Sequence, residues 1–478
     1  MKINKCFLLL AVLIAFCTQA AIAASSYAVV VSKSTLNDIG WKLVVDTLLA
    51  KHHGKLITYE TNVTQSLPSL RQLFPRYTCF VSPPDEVTRE FIASVHRLTR
   101  QYDDDPYCDT FWAILTGYNS ANALFIAKQN APLTVHKVAA HISFAFDMVD
   151  EAIAYDEVVK NKTVRKEAGK DAVESKGPDD TTKAMVDAIN QFKPDLIIAS
   201  GHASEADWAL GYTYHNGKFQ SKAGHMFGKD LAGNLFPVDS PNPKVYMPIG
   251  NCLMGHLKGS NSMALAWMNS AGVCQMLGYT FPTWYGYSGW GCIDYFVEQP
   301  GRYTLVEAFH ANQRALIQRL LTYAPEAATM EAPLNGHPQY HGSLTEAAKS
   351  DGITREDIEG LLFDRDNVVF YGDPGWGVRM AKHPNAWNQT LTNHDGTWTF
   401  TLLPNRGTET FAPINTNGSQ RGGRPIIEFF PRRLQDFTVI EGHDLHPVFT
   451  DDFLLIPLPK TCDTNHSYVV KFKAKNIR

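Results

Sequence analysis

The sequence predicts an α/β unit, with a parallel sheet covered by helices, followed by an antiparallel β-sandwich. Three observations carry that expectation. From Tyr27 onward, short β-branched runs alternate with amphipathic segments, the pattern of repeated βαβ crossovers. After VVFYGDPGWGVRM the helical periodicity stops, and β-rich runs follow one another among turn residues. The chain of 478 residues also exceeds one typical core, so two or three folded units are expected.

Residues 1–24, MKINKCFLLLAVLIAFCTQAAIAA, place Lys2 and Lys5 before the apolar run Phe7 to Phe16 and end on Ala21-Ile22-Ala23. That order reads as a secretory signal with a small-residue cleavage site, and it predicts a secreted or periplasmic protein. No later segment is long and apolar enough to predict an integral membrane span. YAVVVS then reads as a strand. DIGWKLVVDTLLAKH reads as a helix whose apolar stripe is Ile39, Leu43, Val44, Leu48 and Leu49. KLITY, YTCFVS and FWAILTGY are further strands, with the helix EVTREFIASVHRLTR between the last two.

Residues 157–185 break the alternation with dense charge and a Gly-Pro, and read as a solvated loop or exposed helix; a cleavable activation segment is the alternative. The pattern resumes with the strands DLIIASG, VYMPIG and VCQMLGYT and the helices SMALAWMNSA and TLVEAFHANQRALIQRLL. Residues 386–478 carry TWTFTLL, PIIEFF, FLLIPL and SYVVKFKAK, the makings of a small β-sandwich.

Composition excludes some function classes. With 44% hydrophobic and 19% charged residues the chain is an ordinary globular one, and losing Lys2 and Lys5 with the leader would take its formal charge from −4 to −6. Neither nucleic acid nor an anionic membrane is favoured as a partner. The six cysteines beyond the leader have no C-x-x-C spacing, so no structural zinc site is indicated; Cys79 with Cys108 is a candidate disulfide pair. No G-x-S-x-G, H-E-x-x-H, Walker or dinucleotide motif is present. His443, Asp444 and His446 in GHDLH read as surface residues.

Two strand ends stand out. In DLIIASGHAS the apolar run stops at Gly201 and delivers His202, and in VYMPIGNCLMG another stops at Gly250 and delivers Cys252. Ligands of open parallel sheets sit outside the carboxyl ends of strands, so both side chains would enter one crevice if the strands are neighbours. A thiol needs an ionising partner to become a good nucleophile, and an imidazole can supply this and later protonate a leaving amine. Either residue alone reads as ordinary packing or surface; the pair points to catalysis.

Glu205 and Asp207 are candidates to orient the His202 ring, against the plainer reading of solvated carboxylates. Trp284 and Trp290 are candidate walls of a substrate pocket, against core packing. Asp105, in the run Asp103-Asp104-Asp105, is a candidate to recognise a basic side chain or hold a cation, against a solvated acidic turn. Gly372-Asp373-Pro374 reads as a structural turn.

This arrangement resembles the clan CD cysteine peptidases, the group of caspases, legumains and gingipains, and the gingipain-like branch most. NCLMG puts Gly255 three residues after the candidate nucleophile, LAWMNSAGVCQMLGYT is similar to the segment that follows it there, and VVFYGDPGWGVRM is similar to that branch's closing Gly-Asp-Pro segment. YDDDPYCDTFWAILTGYNSANALFIAK resembles its Asp-rich stretch before a strand and helix. The resemblance covers roughly residues 27–385 in organisation.

It implies a caspase/gingipain-like α/β/α sandwich in two subdomains, 25–134 and the catalytic 135–385, followed by an immunoglobulin-like β-sandwich at 386–478. It implies His202 as catalytic histidine, Cys252 as the nucleophile that forms a thioester, and an oxyanion hole from backbone amides of Ala203 and Cys252. His202-Ala203 departs from the family's His-Gly, and Asn251 stands where a small residue is usual. The chemistry requires no cofactor and no catalytic metal; structural calcium is a family implication. The expected partner is a protein or peptide substrate. Two other functions share these residues: a gingipain-like binding or scaffold protein without catalysis, and a thiol-dependent acyl transferase or amidase.

Overall fold

The computed structural model describes residues 26–333 and 336–477. The leader expected at residues 1–24 lies outside them. The centre is one continuous twelve-stranded sheet. Its strands in chain order are β1 (Tyr27–Ser32), β2 (Lys55–Tyr59), β3 (Tyr77–Val81), β4 (Phe111–Leu115), β5 (Lys137–His141), β6 (Glu151–Tyr155), β7 (Lys162–Lys166), β8 (Val173–Lys176), β9 (Leu196–Ala199), β10 (Lys244–Pro248), β11 (Val273–Tyr279) and β12 (Val368–Gly372). Their spatial order is β2-β1-β3-β4-β12-β11-β10-β9-β5-β6-β7-β8.

Both halves are parallel internally: β2, β1, β3 and β4 on one side, and β11, β10, β9, β5 and β6 on the other. β12 joins them, pairing antiparallel with β11 over five residues and meeting β4 at the single bridge Tyr371↔Ile114. Helices cover the sheet, so central strands such as β1, β4, β9 and β10 are buried along their whole length, which is why they read as unbroken apolar runs.

Three local expectations are corrected. The helix Ile39–His52 forms as predicted, capped by Asp38, whose carboxylate accepts the Trp41 N–H (3.0 Å), but its buried face is Trp41, Val44, Val45 and Leu48. Ile39 and Leu43 face solvent; the stripe is rotated because Trp41, the largest side chain on the helix, claims the core. The charged stretch at 157–185 is not only loop and helix: between irregular segments it contains the edge hairpin β7–β8, and its last residues begin the short helix Thr182–Asp187. Its strands lack apolar alternation because β8 is wholly exposed, and a lysine-bearing rim deters further strand pairing. Cys79 and Cys108 are both free and buried, not joined.

A four-stranded antiparallel meander, Asp207–Ala209, Lys218–Lys222, His225–Lys229 and Leu235–Val238, fills the connection between β9 and β10. The C-terminal segment forms two antiparallel sheets. One comprises Trp387–His394, Thr397–Pro404, Tyr468–Asn476 and Leu434–Glu441; the other comprises Ile426–Phe429, Phe453–Ile456 and Val448–Phe449. Phe400, Leu402, Leu454, Ile456, Val470 and Phe472 form a core between them. Residues of the second sheet alternate: Ile426, Leu454 and Ile456 face that core, while Ile427, Phe453 and Leu455 belong to the core of the α/β unit.

Candidate active site

β9 and β10 are adjacent and parallel, in the register Leu196↔Val245 to Ala199↔Pro248. His202 follows three residues after Ala199 and Cys252 four after Pro248, so the topology puts both at the carboxyl ends of neighbouring strands. Gly201 adopts φ +124°, which side-chain-bearing residues rarely do, and a Cβ there would lie 3.2 Å from the Ala209 carbonyl. This turn sends the chain out of β9 and back into a hairpin bridged at Ala203↔Trp208, with the Ala209 N–H donating to the His202 carbonyl (2.8 Å). Past β10, Leu253 sits at φ +60°, a costly conformation for a non-glycine residue, directly after Cys252. Gly255 lets this turn lie on the sheet, since a Cβ there would come within 2.3 Å of the Gly278 carbonyl.

Asn251 ties the two strand ends. It is fully buried, and with its amide oriented to satisfy both ends, Nδ2 donates to the Ala199 carbonyl (3.0 Å) while Oδ1 accepts from Trp208 Nε1 (3.0 Å). An asparagine before the cysteine thus has a structural reason: one amide spans β9, the hairpin after His202, and the turn that carries Cys252.

Cys252 is the one partly exposed cysteine among the described residues; the other five are buried. Burial pushes the Cys79, Cys274 and Cys292 thiols well up, removing them as nucleophiles. Cys252 Sγ accepts the Thr283 N–H (3.3 Å). His202 is exposed, its ring stacked on Tyr212 with centroids 4.7 Å apart and planes 25° apart. No hydrogen bond joins His202 to Cys252 among the described residues. The Ala203 and Cys252 N–H groups have no backbone or side-chain acceptor among those residues either, so both remain free to donate to a developing oxyanion.

The remaining sequence candidates distribute unevenly. Trp284 follows Thr283 and is half-buried, packed edge-on against His337 (4.3 Å) and Phe363 (5.8 Å), so it stands beside the Cys252 turn. Trp290 belongs to a buried helix, Tyr287–Phe296, and is 6% exposed. Its Nε1 lies 3.6 Å from where a Gly250 Cβ would be, and its ring packs on Gly418 of the C-terminal segment, so it backs the Cys252 turn rather than lining a pocket.

Glu205 and Asp207 do not orient His202. The hairpin turns both away: Glu205 Oε1 lies 3.1 Å from His256 Nδ1 and 3.9 Å from Lys258 Nζ, and Asp207 accepts from Ser204 Oγ (2.8 Å) and pairs with Lys218 (2.9 Å). Asp105 is placed against the β-sandwich instead of the Cys252 turn. Its carboxylate gathers with Asp103 and Asp451, their oxygens within 4.8 Å of one another, an all-oxygen donor set that fits calcium. Burial first, then the charge of Asp103, pushes Asp105 up to about 7. Asp373 is a structural hub, as its Gly-Asp-Pro turn suggests: it accepts from Tyr27 Oη (2.7 Å) and the Gly375 N–H (2.8 Å), and lies 2.8 Å from both Lys51 Nζ and His52 Nε2.

Three contributors escaped the sequence reading: Asn251 as the tie, the Thr283 N–H on the thiol, and Tyr212 under the imidazole. A polar residue embedded in the apolar-to-glycine strand end was a usable signal for Asn251. The other two are tertiary and left no sequence mark.

No family model and no curated protein matches this chain. Two solved structures are similar. One is of the Arg-specific cysteine proteinase gingipain R, at 13% identity over 95% of this chain and 98% of that one, with a TM-score of 0.46. The other is described simply as a protease, at 9% identity over the same shares, with a TM-score of 0.41. A likeness of this strength assigns neither activity nor substrate.

Proposed function

We propose that the chain is an exported cysteine endopeptidase that hydrolyses peptide bonds through Cys252 and His202. The observation that carries the reading is the placement of an accessible thiol and an accessible imidazole at the carboxyl ends of adjacent parallel strands, cross-tied by the buried Asn251. The Cys252 thiolate attacks the peptide carbonyl carbon, and the carbonyl oxygen takes up negative charge against the Ala203 and Cys252 N–H groups. The C–N bond then breaks as His202 gives its proton to the leaving amine, leaving a thioester. Water, deprotonated by His202, attacks that thioester and releases the acid and the thiol. Trp284 forms the wall beside the turn. Calcium held by Asp103, Asp105 and Asp451 would tie the segment before β4 to the sandwich, away from the chemistry.

A non-catalytic binding role draws on one observation, that His202 is stacked on Tyr212 rather than hydrogen-bonded to Cys252. One experiment decides between the two. The mature protein and its Cys252→Ala variant are incubated with a mixed peptide library and with a thiol-directed acyl probe. Cleavage and labelling that vanish in the variant are the expected result; an inert, unlabelled wild type overturns the enzyme reading. Amine-ligated product in place of free acid identifies a transferase.

A further inference from the structure

A cavity of about 640 Å³ is lined by residues of both the α/β unit and the β-sandwich, well apart in the chain from the turns that carry His202 and Cys252. Its walls come from residues 300–303, the strand Val378–Met380 and the sandwich strands Trp387–His394 and Ile426–Phe429. The lining is cationic in a chain whose formal net charge is −4: Arg76, Arg302, Arg379 and Lys382 face Glu307 and Glu428.

The two carboxylates do not offset these charges. Glu307 is paired with Arg379 (3.0 Å). Glu428 is hydrogen-bonded by Gln389 (2.6 Å), and burial pushes its carboxyl up, towards the neutral form. Arg76, Arg302 and Lys382 have no carboxylate partner among the described residues. Arg76 and Arg302 are partly buried, and partly buried cations without a counter-charge are costly, so an anion in the space would be stabilised, with the exposed Lys382 at its rim adding charge.

The donors are available as well as the charge. A guanidinium carries five N–H groups. Arg76 gives one to the Phe430 carbonyl (2.8 Å), and Arg302 gives two, to Gln299 and to the Trp387 carbonyl, while its plane lies over the Trp387 ring (4.9 Å). These bonds fix both guanidinium groups in place and leave most of their donors for a ligand, the arrangement that favours bidentate recognition of oxyanions.

We infer that this cavity binds a small ligand bearing two or more oxyanion groups, held by Arg76, Arg302 and Lys382 and touching both the α/β unit and the sandwich. The volume suits a molecule of nucleotide or acidic-disaccharide size. A ligand that contacts both units only in the folded chain stabilises it by mass action, so it acts as a removable staple between them.

The test uses the mature full-length protein, with pyrophosphate and citrate as the phosphate and carboxylate probes and trehalose as a neutral molecule of comparable size. Calorimetric titration and the thermal midpoint are read for each. Saturable binding of at least one anion, with a rise in midpoint, weakening with added salt and no effect of trehalose, is expected. The anion that binds more tightly identifies the oxyanion class. Lys382→Gln, at an exposed position, is expected to weaken binding about tenfold while leaving the unliganded midpoint unchanged, and Arg76→Gln to weaken it at least as much. Absence of binding by both anions, equal binding of trehalose, or wild-type affinity in Lys382→Gln overturns the inference.

Discussion

Replacing Asn251 with alanine tests whether the strand-end tie serves catalysis or only folding. The substitution deletes two hydrogen bonds, to the Ala199 carbonyl and from Trp208 Nε1. Neither partner is orphaned: the Ala199 carbonyl also accepts the Ile249 N–H (2.9 Å), and Trp208 Nε1 also lies 3.1 Å from the Ser200 carbonyl. The penalty for a buried unsatisfied group therefore does not apply, and two bonds at about 0.5–1.5 kcal/mol each give a loss of about 1–3 kcal/mol. The catalytic effect should exceed what stability explains. With the tie gone, the Cys252 turn shifts relative to His202, and a displacement of about 1 Å costs about 10²-fold in rate. Denaturant midpoints measure the first effect and steady-state kinetics on a cleaved peptide the second, with kcat falling and KM little changed. A variant that loses about 2 kcal/mol yet keeps the wild-type kcat would refute the positioning role. Asn251→Asp is the sharper control: it keeps an acceptor for Trp208 but sets a carboxylate against the Ala199 carbonyl, so its defect should ease on acidification.

Asp373→Asn should destabilise by about 3 kcal/mol at neutral pH, because it removes the charge that Lys51 and His52 face at a fully buried site. Burial raises the Asp373 pKa, but the hydrogen bond and charge of His52 and then Lys51 outweigh it and hold it at about 2; the stability it contributes is present above pH ~4 and lost as pH falls towards 2, so mutant and wild type should converge in acid denaturation. Asp105→Asn runs the other way. A carboxyl raised to about 7 by burial and Asp103 loses stability as pH climbs from its unfolded value near 4 through 7, so with chelator present the variant should be about 1–2 kcal/mol more stable than wild type at pH 8 and nearly equal at pH 4. Trp284→Ala should raise KM for a peptide several-fold with a smaller change in kcat, as loss of a pocket wall beside the thiol would; an unchanged KM removes Trp284 from the site.

The strands that carry the candidate site were legible because burial on both faces makes a central strand a nearly unbroken apolar run, as in β9 and in β10 after Lys244. That β9 and β10 are neighbours is a register, Ala199↔Pro248, and no property of either run encodes it. Elements with weak local patterns were missed. The β7–β8 hairpin and the meander between β9 and β10 are short and polar on their outer faces, and the helix Tyr287–Phe296 contains two glycines and is buried all round, so it shows no amphipathic stripe. Glu205 and Asp207, candidates to orient His202 only by nearness in sequence, show a related limit: that nearness says nothing once the hairpin bridged at Ala203 and Trp208 reverses the chain.

The three-stranded sheet of the C-terminal segment gives one row of side chains, Ile427, Phe453 and Leu455, to the α/β unit and the alternate row, Ile426, Leu454 and Ile456, to its own sandwich. It is a party wall. Arg314, wholly enclosed, clamps it further by bonding both the Cys108 carbonyl and Asp452 (2.6 Å each). The α/β unit therefore has no independent outer surface on that side. A chain shortened near Lys382 would bare an apolar face and strand a buried guanidinium, and proteolytic trimming from the C-terminus should inactivate by aggregation rather than release a working core.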